Sequence, residues 1–269
     1  MSKTIGVMGC GWLGFPLALA LMKEGFDLRG TSTDENKIAL LKSKGIGAYK
    51  VKLLSDRIEG PIEEFLDHLD VLVINIPPRM RKDPSESYFD KVNLLYDRIK
   101  DRGVEKVLIV SSTSVYGNAE GTISEEDRPE PVTDSAKHLL KSERLFIEDE
   151  QLSTTVVRFG GLIGPDRHPV TMLSGRTGLK NGAEAINLIH LDDCIHLIIS
   201  IIRNNWWNEI FNGVYPDHPT KADYYTQEAR VRGLEIPHYT DNSKSGSGKI
   251  IESRNFLNKK NRFYTSIRS

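Results

Sequence analysis

Cysteine is nearly absent: the 269 residues contain two, Cys10 and Cys194, far apart and with no CxxC spacing. A disulfide framework and a thiolate zinc site are thereby disfavoured, and a reducing, cytoplasmic setting is expected. Long hydrophobic runs are missing as well. The most apolar window, Ile195–Ile202, is interrupted by His196 and Ser200 and falls far short of the ~20 residues that span a bilayer. The opening Met-Ser-Lys-Thr leads into no extended apolar core of a secretion signal. Neither sign of charge is in excess, with 36 Lys and Arg against 37 Asp and Glu, a net of −1. Nothing in that balance attracts nucleic acid or an anionic membrane, so neither is expected as a partner. Internal repeats and low-complexity tracts are also lacking. What remains is a globular chain long enough to bury roughly three quarters of its unfolded surface, with a small molecule as its expected partner.

Apolar strand-like runs alternate with helical patterns through the first 160 residues. Thr4–Met8 reads as a buried strand and Trp12–Glu24 as a helix closed by Gly25. Pro16 is compatible with that helix, because a first turn has no use for the missing N–H. Strands are predicted at Asp27–Thr31, Val71–Ile76, Lys106–Ser111 and Thr154–Phe159, and helices from Asp34 to Lys44, Glu86 to Arg102 and Asp134 to Glu150. All-apolar strands separated by helices predict an α/β fold, a doubly wound parallel sheet covered on both faces. Its ligands should gather beyond the carboxyl ends of the strands. After residue 160 the pattern loosens. A helix near 192–204, a strand at 210–212 and a helix near 221–232 are the firm elements. A Rossmann domain over 1–160, completed by a helix and strand near 187–213, is expected, with 161–186 and 214–269 forming a small substrate-side subdomain. The run 242–249 reads as a loop, and the basic stretch Lys259–Arg262 as a solvated tail.

Gly9-Cys10-Gly11-Trp12-Leu13-Gly14 is a GxGxxG between the first strand and the first helix. Gly9 permits a tight turn, Gly11 lets a pyrophosphate approach the backbone, and Gly14 lets helix and strand pack closely. The Trp12 and Leu13 N–H groups lie at the helix start, where the dipole favours an anion. A dinucleotide cofactor is therefore expected. No acid stands at the tip of the second strand, Arg29-Gly30-Thr31-Ser32-Thr33, and Asp34 is better read as an N-cap. Thr31, Ser32 and Thr33 leave room for a 2′-phosphate that Arg29 or Lys37 could neutralise, which favours NADP(H) over NAD(H). Arg29 could equally face away, since alternate strand residues point to opposite sides.

The serine strand ends in Ser111-Ser112-Thr113-Ser114-Val115-Tyr116-Gly117, hydroxyls placed where a nicotinamide and its substrate would sit. Together with GCGWLG, the segments SSTSVYG, RFGGLIGP (158–165) and NLIHLDD (187–193), in this order and spacing, resemble the extended short-chain dehydrogenase/reductase superfamily of NAD-dependent epimerase/dehydratase type. Within it they are similar to a small atypical YeeZ-type subgroup. The resemblance spans nearly the whole chain. It implies a bound NAD(P), with Ile76, Pro77, Ser111, Gly160, Gly161 and Leu162 joining the glycine loop around it. Ser112 takes the family's catalytic Ser/Thr position, beside Thr113 and Tyr116. Arg167 and His168 on the following loop, with Asn187 and His190, are substrate-side candidates, although Arg167 could be a surface charge and Asn187 and His190 could only brace the loop. The long helices after Glu86 and Asp134 could form the homodimer seam common in the superfamily.

One family feature is missing. Aligning Pro131 and Glu143 with the family's pattern puts Ser135 where its catalytic tyrosine belongs and Leu139 where its lysine belongs. Leucine carries no charge and an unassisted serine is too weak an acid. Tyr96 and Lys100 keep the Tyr-x-x-x-Lys spacing but precede the serine strand and read as one turn of an amphipathic helix. Lys137 and His138 are candidate replacements. The segment His190–His196 reads as a strand end and helix start rather than a metal site. Two functions follow: an oxidoreductase or epimerase acting on a small polar metabolite such as a nucleotide sugar, or a non-catalytic sensor of NADP(H).

Overall fold

The computed structural model describes residues 2–78, 87–240 and 248–269. Seven strands form the central parallel sheet: β1 (Thr4–Met8), β2 (Asp27–Ser32), β3 (Gly47–Lys50), β4 (Val71–Ile74), β5 (Lys106–Ser112), β6 (Ser153–Phe159) and β7 (Ile210–Gly213). Their spatial order is β7-β6-β5-β4-β1-β2-β3, so the order reverses beside β1. A doubly wound sheet opens a crevice at that reversal, and the glycine loop leaves β1 directly into it. The predicted fold class is the observed one. β3 escaped the sequence reading because its Gly-Ala-Tyr-Lys sequence has no buried residue and sits on the sheet edge.

The helices are α1 (Gly14–Lys23), α2 (Glu35–Ser43), α3 (Ile62–Leu66), α4 (Tyr88–Arg102), α5 (Asp134–Ile147), α6 (Pro169–Leu173), α7 (Leu191–Asn204), α8 (Lys221–Val231) and α9 (Arg254–Asn258). Their ends follow capping chemistry. The Asp34 carboxylate accepts from the Asn36 and Lys37 N–H groups, and Thr133 does the same for Ala136. Gly25, Gly45 and Gly103, where the chain turns away after α1, α2 and α4, adopt positive φ. The expected start of α4 at Glu86 lies outside the described residues, as do residues 242–247 of the loop expected over 242–249; its last residue, Lys249, instead begins a short strand, Lys249–Ile251.

Two apolar layers flank the sheet. One contains Leu17, Leu21, Leu197, Ile198 and Ile201 from α1 and α7; the other contains Val92, Leu95, Ile99, Leu139 and Phe146 from α4 and α5. A third cluster, with Ile163, Val170, Ile186, Leu188, Tyr224 and Ile267, forms a separate small core after residue 160. The basic stretch 259–262 is not a solvated tail. Lys259 pairs with Glu209 at 2.8 Å and lies over the Trp206 ring, while Phe256 and Phe263 on either side of it are buried in the first layer. Apolar residues flanking the basic ones draw the chain back onto the sheet. No helix among the described residues is long and apolar enough to cross a membrane.

Candidate active site

The three glycines of the loop have three different surroundings. Gly9 has φ +97°, and a Cβ there would stand 2.5 Å from the Asn75 carbonyl oxygen. A Cβ on Gly14 would run into the Gly9 carbonyl oxygen, while one on Gly11 would meet nothing within 4 Å. Gly9 and Gly14 are therefore fixed by packing, and Gly11 presents bare backbone to open space. The first turn of α1 has no side-chain cap, so its leading N–H groups suit an anion. Asn75, unnoticed in the sequence, donates from Nδ2 to the Gly9 carbonyl at 3.0 Å and holds the loop from the end of β4. Ile76 follows it half-buried, and Pro77 is exposed. Burial pushes the Cys10 thiol up to about 12, leaving it a small apolar filler beneath the loop.

At the tip of β2, Thr31 departs from expectation, and Arg29 takes the second of its two expected orientations. Thr31 is buried, and its hydroxyl accepts from the Gly9 N–H at 2.9 Å, so it braces the glycine loop from below instead of lining an open cleft. Arg29 turns away altogether, donating to the carbonyls of Glu64, Phe65 and Asp67 at the end of α3. Ser32 is half-buried, and Thr33 and Lys37 are exposed. Asp34 is occupied as the α2 cap.

At the end of β5, Ser112 is half-buried and its Oγ accepts from the Ser114 N–H at 3.1 Å. Its own hydroxyl proton is left to donate. Ser111 and Tyr116 have other partners. Ser111, Arg158 and Asn212 occupy one row across β5, β6 and β7. Glu143 from α5 accepts from Ser111 Oγ and from Arg158, whose Nη2 lies 2.7 Å away. Arg158 Nη1 donates to the Tyr116 hydroxyl at 3.0 Å, and that hydroxyl donates to Asn212 Oδ1 at 2.9 Å. Tyr116 is fully buried. Burial raises its phenol pKa against the pull of Arg158, which makes it a weaker acid, so it is a structural member of this network and not a proton donor at the surface.

On α5, Leu139 is buried in the core. Lys137 is exposed and pairs with Asp134, and His138 Nδ1 accepts from the Phe89 N–H of α4 at 3.3 Å. Neither has an arrangement that replaces the missing tyrosine and lysine. Tyr96 and Lys100 both donate to Asp149 Oδ2, at 2.7 and 2.5 Å, a tie between α4 and the end of α5.

Of the substrate-side candidates, Arg167 is exposed with its guanidinium 5.0 Å over the Trp12 ring. Trp12 in turn covers Gly164, where a Cβ would stand 2.8 Å from the indole. The glycine loop and the 164–167 turn are thus in contact. His168 is buried: its Nδ1 accepts from the Val170 N–H, and its Nε2 lies 3.0 Å from the Tyr224 hydroxyl. Desolvation lowers its pKa to about 4, helped by Arg232 and opposed by Glu228. Asn187 ties down the strand 249–251, donating to the Lys249 carbonyl and accepting from the Ile251 N–H. His190 caps α7 through Asp192 N–H. Asn187 and His190 thus brace the chain. Gly160 and Gly161 lie against Asn187, whose carbonyl accepts from the Gly161 N–H at 2.8 Å, and Leu162 is half-buried beside them.

Beside this segment is a cavity of about 260 Å3 lined by Glu184, Asn187, Leu188, Lys221, Tyr225 and Lys249. Lys249 Nζ donates to the carbonyls of Gly117 at 2.7 Å and Thr113 at 3.3 Å, so this cavity adjoins the serine turn. Sequence reading missed Lys249 because it lies more than 130 residues from the turn it touches.

A crevice at the sheet's order reversal, an open-backed glycine loop and a serine turn beyond β5 are the layout of a dinucleotide-linked short-chain dehydrogenase/reductase. The chain belongs to the NAD dependent epimerase/dehydratase family, whose family model matches residues 5–212. Protein YeeZ of Escherichia coli K12 is 33% identical over 258 residues, covering 95% of this chain and 93% of YeeZ. Among solved structures, the UDP-glucuronic acid 4-epimerase of Bacillus cereus, in complex with UDP-glucuronic acid and NAD, superposes with a TM-score of 0.76 at 17% identity, over 98% of this chain and 95% of that one. A functionally unknown conserved protein from Silicibacter pomeroyi reaches 0.76 at 20% identity, over 94% and 90%.

Proposed function

We propose that the protein is an NAD(P)-dependent oxidoreductase or epimerase acting on a small polar metabolite. The observation that carries this reading is the contrast within the glycine loop, where Gly9 and Gly14 are locked by packing while Gly11 stands open. A loop held that firmly with one bare backbone face suits a pyrophosphate. Gly160, Gly161, Leu162, Ile76 and Pro77 border the same carboxyl edge. The bound dinucleotide would give or take the hydride. Ser112 would donate its hydroxyl proton to the substrate's carbonyl oxygen and orient it, with Thr113 beside it. NADP(H) is favoured because Asp34 is engaged as a cap, leaving Ser32, Thr33 and Lys37 at the ribose end. Residues 161–186 and much of 214–269 would supply the substrate side.

Thermal unfolding with NADPH, NADP, NADH and NAD in parallel tests the cofactor. A ligand at 100 times its Kd adds about 2.7 kcal/mol, and the largest shift is expected from the NADP(H) pair. A larger shift from the NAD(H) pair would reverse the preference, and no shift from any of the four would overturn the reading.

The buried Leu139 at the family's lysine position favours a second reading, a non-catalytic NADP(H) sensor. A substrate-dependent change in nicotinamide absorbance, lost in Ser112→Ala, decides for the enzyme; dinucleotide binding without turnover on any carbonyl or sugar substrate decides for the sensor.

A further inference from the structure

The 260 Å3 cavity beside the serine turn holds an unbalanced cation. Lys221 and Glu184 on its wall pair with each other at 2.5 Å. Lys249 has no carboxylate partner of its own among the described residues: its ammonium donates to the two carbonyls of Thr113 and Gly117. An ammonium has three N–H donors, so these contacts use two and leave one for a ligand. The remaining polar wall group is the Tyr225 phenol, which burial keeps protonated, with a pKa of about 12. The Asn187 amide is committed to residues 249 and 251 through Oδ1 and one of its two Nδ2 hydrogens.

We propose that this cavity is the substrate's anion seat, in which Lys249 holds a carboxylate or phosphate of a compact metabolite while gripping the serine turn that carries Ser112. The inference rests on the dehydrogenase/epimerase reading of the site and narrows its substrate class. Three observations carry it. Lys249 bridges the carbonyls of Thr113 and Gly117 across the turn that follows Ser112, so the cation on the cavity wall is tied directly to that turn. The wall carries two ammonium groups and one carboxylate, a net positive charge in a half-enclosed space where Coulomb attraction is strengthened. The volume is below the ~300 Å3 at which pockets for drug-sized ligands begin, so a compact acid fits and a whole nucleotide sugar does not. Partial burial lowers the Lys249 pKa, with Lys221 adding to the effect and Glu184 opposing it. Such a cation gains from an incoming anion.

The test uses inorganic phosphate and malonate, with malonamide as a neutral isostere of malonate, titrated into the full chain with and without NADPH and followed by amide chemical-shift changes. Saturable binding of malonate or phosphate, with the shifts centred on residues 184–188 and 249–251 and no response to malonamide, is expected. Malonate alone assigns a carboxylate substrate, and phosphate alone a phosphorylated one. Lys249→Met should weaken the acid's binding roughly tenfold or more, and Lys249→Arg should retain most of it. Equal binding of malonamide, no saturable binding of either acid, shifts centred elsewhere, or unchanged affinity in Lys249→Met each overturns the proposal. Where Lys249→Met does not fold, the comparison of malonate with malonamide on the wild-type chain decides. NADPH binding is scored separately: its absence alongside acid binding overturns the dinucleotide reading, and its presence without acid binding overturns only this one.

Discussion

Arg158 and Glu143 form a two-pronged ion pair inside the protein: Nη2 lies 2.7 Å from one carboxylate oxygen, and Nε lies 3.2–3.3 Å from both. The side chains are 3% and 1% exposed. The pair joins α5 to β6, and through Ser111, Tyr116 and Asn212 it fastens three strands and the serine turn into one polar unit.

A buried charge stripped of its partner is costly, so Glu143→Leu should destabilise the protein by about 3–5 kcal/mol. Urea unfolding followed by circular dichroism measures the loss. A change below about 1 kcal/mol would show that Arg158 finds another partner.

Tyr116→Phe removes one oxygen between Arg158 and Asn212 and leaves their groups short of a hydrogen bond. A stability loss of about 1–3 kcal/mol is expected, with dinucleotide affinity unchanged. Loss of turnover on an identified substrate at normal stability would instead return the phenol to a catalytic role.

Gly11→Ala and Gly14→Ala should behave differently although both alter the same motif. At Gly11 the added methyl meets nothing within 4 Å, so stability should stay within about 0.5 kcal/mol of wild type while calorimetry shows weakened dinucleotide binding. At Gly14 the methyl collides with the Gly9 carbonyl, so both stability and binding should fall.

His168 supplies a pH dependence. Its Nδ1 already accepts from the Val170 N–H, so the neutral ring carries its proton on Nε2, facing the Tyr224 hydroxyl, and that hydroxyl donates onward to the Ile267 carbonyl. Its folded pKa of about 4 lies below the ordinary 6.5. The folded state therefore binds fewer protons than the unfolded one between these values. The stability from neutral His168 is complete above about pH 6.5 and is lost as pH falls toward 4, by up to ~3 kcal/mol. The Tm should drop over that window, and His168→Asn should flatten that part of the profile even though its overall stability is lower.

Much of this molecule was legible from residues close together in the chain. The order of strands and helices followed from apolar runs and their caps, and the roles of Gly9, Gly11 and Gly14 followed from a turn only six residues long. Asp34 declared itself as a cap for the same reason. These are local matters, settled by backbone sterics and by hydrogen bonds that close within one turn.

The fate of the polar side chains was not local. Arg29 was free to face either side until α3 placed three carbonyls within reach of its guanidinium. Thr31 looked like an open hydroxyl and became a buried brace for Gly9. Tyr116, next to the site in the sequence motif, was drawn inward because the register of β5, β6 and β7 sets Ser111, Arg158 and Asn212 in one row. Lys249 reached the serine turn across more than 130 residues. The sequence by itself determined the parallel sheet and the glycine turn after its first strand, because backbone geometry and apolar periodicity need only near neighbours. The tertiary structure alone decided which hydroxyls and cations face the crevice, because a buried polar group goes wherever its hydrogen bonds can be completed, and those partners come from distant strands.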